Sequence, residues 1–155
     1  MAARYTIELT DVAEAVYNRL ADDADNCIRA GDLNNSKITL FRMVEEAVDK
    51  IIPHDPFNRD RALSGPLSNI FRIKKGRLRI CYIGSSRLRR ITVLYISDTP
   101  RKEGDAHDPY AQLTRLVSSG RFDALFDVLG VKRPRRRRPT RFPPAPNPRR
   151  SPAPG

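Results

Sequence analysis

Cysteine is scarce in this 155-residue sequence: only Cys27 and Cys81 are present, far apart in the chain. They form no Cys-x-x-Cys pair and stand at no Cys/His spacing typical of a zinc site. We therefore interpret both as small core side chains in a reducing compartment. We expect no metal and no other cofactor.

Long apolar runs are also missing. No stretch approaches the roughly 18–20 apolar residues that a membrane-spanning helix needs. The first residues, MAARYTIELT, lack the apolar core of a secretory signal. We therefore expect a cytoplasmic protein with no membrane partner.

Acidic residues are absent from residues 131–155, which hold nine Lys or Arg. Residues 1–60 carry a net charge of −5 (7 basic, 12 acidic), whereas residues 61–130 carry +7 (13 basic, 6 acidic). The total of +11 therefore arises in the second half of the chain. Such a field favours a polyanion as partner, and nucleic acid is the commonest polyanion in the cytosol.

The first elements show two different hydrophobic periods. Residues 4–10, RYTIELT, alternate like a half-buried strand, and apolar residues then recur every three or four positions from Val12 to about Ala30. This second pattern predicts an amphipathic helix. We expect Thr10 or Asp11 to cap it, Glu14 to complete a capping box and Gly31 to end it.

A second helix is predicted from Ser36, with Pro53 as its end. The short connection between the two helices predicts an antiparallel helical hairpin. After a loop over residues 53–67, three strand candidates follow with short connections, which predicts an antiparallel meander. Their sequences are SNIFRIKK (68–75), RLRICYIG (77–84) and RITVLYIS (90–97).

A charged loop over residues 98–109 leads into a last helix that begins at Pro109 or Tyr110, and RFDALFDVLG (121–130) closes the domain. Residues 132–155 hold eight of the 13 prolines and nine cations. They have almost nothing to bury, so we expect a disordered tail after a domain that covers residues 1–131. Three nonspecific targets fit the cations of the tail, namely rRNA, mRNA and a membrane surface, and we predict Arg135 and Arg136 as RNA contacts; the alternative is an extension without a role.

The order of these elements resembles the RelE/ParE superfamily of bacterial toxins, from type II toxin–antitoxin systems. Five short pieces follow the superfamily's pattern in the same order: Leu63-Ser64-Gly65, Phe71-Arg72-Ile73-Lys74, Arg79-Ile80-Cys81-Tyr82, ITVLYIS and Arg101. The resemblance covers about residues 4–120. It implies an α+β, RelE-like fold with an N-terminal strand, a helical hairpin, a three-stranded meander and short C-terminal helices.

The resemblance also implies a function. RelE-like members are small RNases that cleave mRNA, typically in the ribosomal A site, by attack of a ribose 2′-OH on the adjacent phosphate. ParE-like members share the fold but inhibit DNA gyrase, and an antitoxin protein neutralises both kinds. We therefore expect a toxin whose partners are mRNA, the ribosome and an acidic, DNA-binding antitoxin. A gyrase inhibitor and a non-catalytic nucleic-acid-binding module remain alternatives.

Cleavage by the 2′-OH requires a base, a stabilised phosphorane charge and an acid for the leaving oxygen. Strand alternation puts Arg72 and Lys74 on one side of their strand, where Arg79 of the next strand can join them. Phe71, Ile73 and Lys75 then take the other side. We predict Lys74 as the general base, with Arg72 and Arg79 binding the phosphate.

The remaining roles are predicted for the loop after the last strand. Arg101 or Lys102 matches the family's phosphate-binding arginine at that place. Tyr110 falls where RelE-like toxins place a C-terminal tyrosine that stacks on or protonates the substrate, and His107 is a further candidate acid. The predicted catalytic residues are Lys74, Arg79, Arg101, His107 and Tyr110, and the predicted nucleic-acid contacts are Arg72, Lys75, Arg77, Lys102, Arg135 and Arg136.

Overall fold

A four-stranded sheet in the order β1-β4-β3-β2 organises residues 4–134, the part of the chain that the computed structural model describes. The strands are β1 (Thr6–Leu9), β2 (Phe71–Lys75), β3 (Leu78–Ser85) and β4 (Arg90–Ser97). β2, β3 and β4 form the predicted antiparallel meander, and β1 pairs with β4 in parallel. The predicted α+β class is confirmed. The predicted tail lies outside the described residues from Arg135 onward, which includes Arg135 and Arg136, whereas its first three residues, 132–134, are described.

Helix α1 covers Asp11–Arg29 and begins at an N-cap threonine. The Thr10 hydroxyl accepts a hydrogen bond from the Ala13 N–H at 3.1 Å, which satisfies one of the free donors of the first turn. Because Thr10 is the cap, Ala13 occupies the position that a capping-box carboxylate would need, so the predicted role of Glu14 is wrong. Gly31 follows the helix with a φ of +78°, as predicted for its end.

The second helical segment runs one residue further than predicted. Helix α2 covers Ser36–Glu46, a π-helical turn covers Ala47–Ile51, and a short α3 covers Ile52–His54. Pro53 therefore lies within helical backbone and does not end it. It occupies the first turn of α3, where its missing N–H is tolerated. The segment packs back on α1 as the predicted hairpin, with the Tyr17 and Phe41 ring centroids 5.3 Å apart.

Two short helices complete the domain after β4. Helix α4 covers Pro109–Ser118 and α5 covers Asp123–Leu129, and Gly130 ends α5 in the left-handed conformation. Within residues 4–134, no helix is long and apolar enough to cross a membrane.

The sheet separates two hydrophobic clusters. The side chains of Ile73 and Ile80 pack toward α1 and α2, whereas those of Cys81 and Ile83 pack toward α4 and α5. Lys75 lies on the α2 side, where its Nζ is 3.9 Å from Glu46. Alternation along β2 therefore separates Phe71, Ile73 and Lys75 from Arg72 and Lys74, as predicted.

A β-bulge changes the sheet face on which the side chains at the end of β4 lie. Cys81 pairs with Tyr95 but Tyr82 pairs with Val93, so one residue of β4, Leu94, is extra. Before the bulge Val93 packs toward α1, whereas Leu94 and Tyr95 both pack toward α4 and α5. The bulge thus turns Tyr95, and Ser97 two residues later, onto the sheet face that carries Arg79.

Candidate active site

Arg72, Lys74 and Arg79 share one sheet face, which strand alternation had predicted. In the β2–β3 register Lys74 is the direct partner of Arg79, and Arg72 is the partner of Cys81. On the other side of β3, Arg79 pairs with Ser97 of β4. Two rows of side chains therefore cross the sheet, and both contain an arginine.

Tyr110, in the first turn of α4, lies over these rows. The Arg72 Nη1 donates a hydrogen bond of 2.9 Å to the Tyr110 hydroxyl. The guanidinium carbon of Arg101 is 4.7 Å from the centroid of the Tyr110 ring, and that of Arg79 is 5.9 Å away. Both distances are typical of cation–π contacts. Three guanidinium groups thus surround one tyrosine; we call Arg72, Arg79, Arg101 and Tyr110 the arginine cluster.

Two donors of this cluster are left without partners. Within residues 4–134, the only buried side-chain polar atoms lacking a hydrogen bond are the Nε atoms of Arg72 and Arg79. Arg79 is only 4% exposed, and its Nη1 donates to the Gly76 carbonyl at 2.8 Å. No acidic side chain in the described residues pairs with either arginine, and a buried, unpaired cation is costly. An anion such as a phosphate, which guanidinium groups bind through paired N–H donors, would satisfy both.

Asp108 contacts the arginine cluster through Arg101, and the sequence predictions did not include it. It is 3% exposed and forms an ion pair with the Arg101 guanidinium. Its carboxylate also accepts backbone hydrogen bonds from Lys102 (2.8 Å), Tyr110 (3.1 Å) and Ala111 (3.4 Å). An aspartate directly before Pro109, at a predicted helix start, is an N-cap signal that identifies it.

The charge of Asp108 follows from these contacts. Burial by itself raises the pKa of a carboxyl group, but three backbone N–H groups and the Arg101 guanidinium act in the opposite direction. Together they hold the pKa of Asp108 below its usual value. Asp108 is therefore ionised at neutral pH, which keeps its ion pair with Arg101 intact.

A cavity of 450 Å³ lies at the outer edge of β2, next to the arginine cluster. Four of its six lining side chains are cationic: Arg61, Arg72, Lys74 and Lys75. Arg61 comes from the loop before β2, where its Nη1 donates to the Asp55 carbonyl at 2.8 Å. The sequence did not identify Arg61, because its loop has no hydrophobic period from which the direction of a side chain can be predicted.

A family model, the YhaV toxin family, described as a toxin with endonuclease activity of a toxin–antitoxin system, matches residues 8–132. The chain belongs to this toxin family. A search of curated proteins gave no significant match. Among solved structures, the toxin–antitoxin complex RelBE2 from Mycobacterium tuberculosis matches with a TM-score of 0.46 and 16% identity, over 63% of this chain and 93% of that chain.

The family membership confirms two predictions about the toxin. It is a toxin of a toxin–antitoxin system, and it is an enzyme, since the family is described by an endonuclease activity. Neither a gyrase inhibitor nor a non-catalytic binding module corresponds to that description.

Four other predicted site residues are exposed on the surface of the toxin: Lys74, Arg77, Lys102 and His107. His107 is exposed, and its backbone N–H donates to Asp105 at 2.7 Å, but within residues 4–134 no contact joins its imidazole to the arginine cluster. Lys74 and Arg77 are exposed, the former on the face of the arginine cluster and the latter in the β2–β3 turn. Lys102 is exposed, with its Nζ 3.7 Å from Asp105. The roles predicted for all these residues stay predictions.

Cys81 lies in the centre of the toxin's site face but is not a reactive group. Burial raises its pKa to about 12, although the nearby Arg72 and Arg79 act in the opposite direction. It is therefore a thiol at neutral pH, and the thiolate is the reactive form. Among residues 4–134, no three or more His, Cys, Asp or Glu side chains are grouped to hold a metal ion. The arginine cluster itself consists of three guanidinium groups and one phenol.

Proposed function

We propose that the toxin is an endoribonuclease that cleaves mRNA on the ribosome, by 2′-OH attack and without a metal, and so inhibits translation. One observation carries the proposal: three guanidinium groups surround Tyr110, one at its hydroxyl and two at its ring, and two of the three have buried Nε donors without partners. Preorganised donors of this kind stabilise the charge that develops on a phosphorane.

The proposed chemistry assigns each group one step, and Arg101, which lies over the Tyr110 ring, takes part with Tyr110 in the departure of the leaving oxygen. As the general base, Lys74 takes the proton of the 2′-OH, whose oxygen attacks the adjacent phosphorus, while Arg72 and Arg79 bind the phosphate oxygens. The P–O5′ bond then breaks. Because the Tyr110 oxygen already accepts from Arg72, its own O–H is left to protonate the leaving 5′-oxygen. The products are a 2′,3′-cyclic phosphate and a 5′-OH, and His107 is the alternative acid.

We extend the same proposal to the path of the RNA. The cationic cavity beside β2 continues the arginine cluster toward Lys75 and Arg61, and its charge suits a phosphate backbone. Arg77 and Lys102 are further proposed contacts on the exposed rim.

The C-terminal cations join this proposed path. The Asn69 side chain donates to the Lys132 carbonyl at 2.9 Å, and Arg133 pairs with Asp127 at 3.2 Å. The first contact places Lys132 next to Asn69, which precedes β2, and the second connects Arg133 to α5. We propose that Arg135 and Arg136, which lie outside the described residues, contact RNA phosphates.

We also propose that the toxin acts in the cytoplasm and is neutralised by an acidic, DNA-binding antitoxin. Membership of a toxin–antitoxin family supports the antitoxin. An acidic partner complements the excess of cations after residue 60.

The decisive experiment uses one RNA oligonucleotide, the same RNA with a single 2′-deoxy nucleotide at the cleaved position, and the matching DNA. We expect the purified toxin to cut only the all-RNA substrate, in the presence of a chelator, and to leave a cyclic phosphate and a 5′-OH. Adding ribosomes and a translated mRNA should accelerate cleavage. Equal cleavage of the deoxy substrate, or a requirement for metal, would overturn the mechanism.

Variants connect that activity to the site. A Lys74→Ala, Arg79→Ala double variant should lose cleavage and toxicity on expression in bacteria. The matched control is Arg90→Ala, which removes an arginine of β4 that pairs with Glu8 at 2.7 Å, away from the arginine cluster. If the double variant were as toxic as the control, the assignment of this site to the nuclease would be wrong.

A further inference from the structure

The loop from Ser97 to α4 is closed by one buried side chain. Arg101 and Lys102 lie near its start and Tyr110 directly after its end, and the Asp108 carboxylate contacts all three. Its Oδ1 accepts from the Lys102 N–H, whereas its Oδ2 accepts from the Tyr110 N–H and pairs with Arg101. One carboxylate therefore sets the distance between the Arg101 guanidinium and the Tyr110 backbone.

The other acidic partner of Arg101 cannot do this. Arg101 Nη2 is 3.6 Å from Glu103, whose side chain is 90% exposed, and a solvent-exposed pair of this kind holds a side chain only weakly. Asp108 is almost fully buried and its orientation is determined by three backbone donors. The 4.7 Å contact between Arg101 and the Tyr110 ring consequently depends on Asp108.

We propose that Asp108 is a positioning residue of the nuclease site, which holds Arg101 against the Tyr110 ring and sets the place of the Tyr110 hydroxyl. The proposal rests on the proposed roles of Arg101 and Tyr110 in the reaction. Asp108 itself touches no substrate; it acts through the two groups that do. Its effect should therefore appear in the rate of the chemical step rather than in the affinity for substrate.

Asp108→Asn is the informative substitution. Asparagine is nearly isosteric and is as good an N-cap as aspartate, so the start of α4 is retained. The substitution removes the negative charge that pairs with Arg101. In the full-length protein we expect kcat to fall roughly 10–100-fold, the range typical of groups that orient a functional side chain. KM should change by less than about threefold, because Arg72 and Arg79 still bind the phosphate.

A double-variant cycle with Arg101→Ala separates positioning from a general structural effect. If Asp108 acts through Arg101, Asp108→Asn should slow an Arg101→Ala protein much less than it slows the wild type. Chemical denaturation checks that each variant is folded under the assay conditions. The matched control is Asp98→Asn. Asp98 lies in the same loop as Asp108 but pairs with Arg19 of α1 at 2.8 Å, so this variant should keep the wild-type kcat.

The outcomes separate this proposal from the proposed function. A wild type that cuts no RNA refutes the ribonuclease proposal, and the cycle is then measured on the nucleic acid that the endonuclease does cut. An unchanged kcat in Asp108→Asn, an equal loss in both backgrounds, or an equal loss in Asp98→Asn would each overturn the role of Asp108.

Discussion

Arg72 of β2 donates a hydrogen bond of 2.9 Å to the hydroxyl of Tyr110 in α4, across 38 residues of sequence. This contact connects the edge strand of the sheet to the first turn of a helix that follows an 11-residue charged loop, residues 98–108. It brings a basic strand face and a phenol into one site, where neither element alone carries the groups that phosphodiester cleavage needs.

Tyr110→Phe should therefore reduce cleavage by roughly 100-fold, because it removes the proposed acid and its contact with Arg72. The free energy of unfolding should change by less than about 1.5 kcal/mol, since the bond is partly exposed to solvent. Single-turnover cleavage and urea denaturation measure the two quantities.

Tyr82→Phe is the matched control for that tyrosine. The Tyr82 hydroxyl is buried and donates to the Pro56 carbonyl at 2.6 Å, so its loss leaves a buried acceptor without a partner. We expect about 1–3 kcal/mol of lost stability and an unchanged kcat. The reverse pattern, a rate effect for Tyr82 and a stability effect for Tyr110, would contradict the assignment of the site.

Arg79→Lys should reduce kcat by roughly 10²–10³-fold, although the positive charge is kept. A lysine ammonium lacks the planar fork of N–H groups, so it cannot donate to both Gly76 and a phosphate in the same geometry. Arg90→Lys, on the neighbouring strand, should leave the rate close to that of the wild type. Comparable losses for the two variants would show that the effect is not specific to the arginine cluster.

The pH dependence of stability should report the ionised state of Asp108. Because the folded-state pKa lies below the unfolded value of about 3.9, the carboxylate stabilises the fold above that pH, and the contribution is lost as pH falls through the folded pKa. At pH 7, Asp108→Asn should lower the free energy of unfolding by about 1.5–3 kcal/mol. The gap between variant and wild type should narrow below about pH 4, whereas parallel curves would argue against the predicted ionisation.

The basic C-terminal run should affect binding and its salt dependence, not the chemical step. The test replaces four arginines by glutamine in the 155-residue chain: Arg135, Arg136, Arg137 and Arg138. We expect this variant to bind RNA more weakly and to keep the wild-type kcat. The slope of log K against log salt should shrink by about 0.7 for each phosphate contact that is lost. An unchanged slope would show that these residues do not touch RNA.

Much of the fold was predictable because its signals are local. Alternation within five residues of β2 places Arg72 and Lys74 on one face, and the register then adds Arg79. The helix ends were predicted less well where two rules competed: Thr10 rather than Asp11 caps α1, and Pro53 is accommodated in the first turn of α3.

The bulge in β4 shows what a local pattern cannot reveal. Strict alternation from Val93 places Tyr95 and Ser97 on the sheet face that packs against α1. The extra residue, Leu94, moves both side chains to the opposite face of the sheet. Whether a strand accommodates an extra residue depends on its pairing with a neighbouring strand, which no single stretch of sequence contains.

The sequence by itself determined the identities of the elements, the basic face of the meander and the resemblance to a toxin superfamily, because hydrophobic period and charge act over a few residues. Only the tertiary structure decided that β1 pairs in parallel with β4, that Arg61 joins the cationic cavity and that Asp108 holds Arg101 beside Tyr110. These relationships join residues through the packing of separate elements. Their energies depend on burial and on partners distant in the chain, which exist only once the chain has folded.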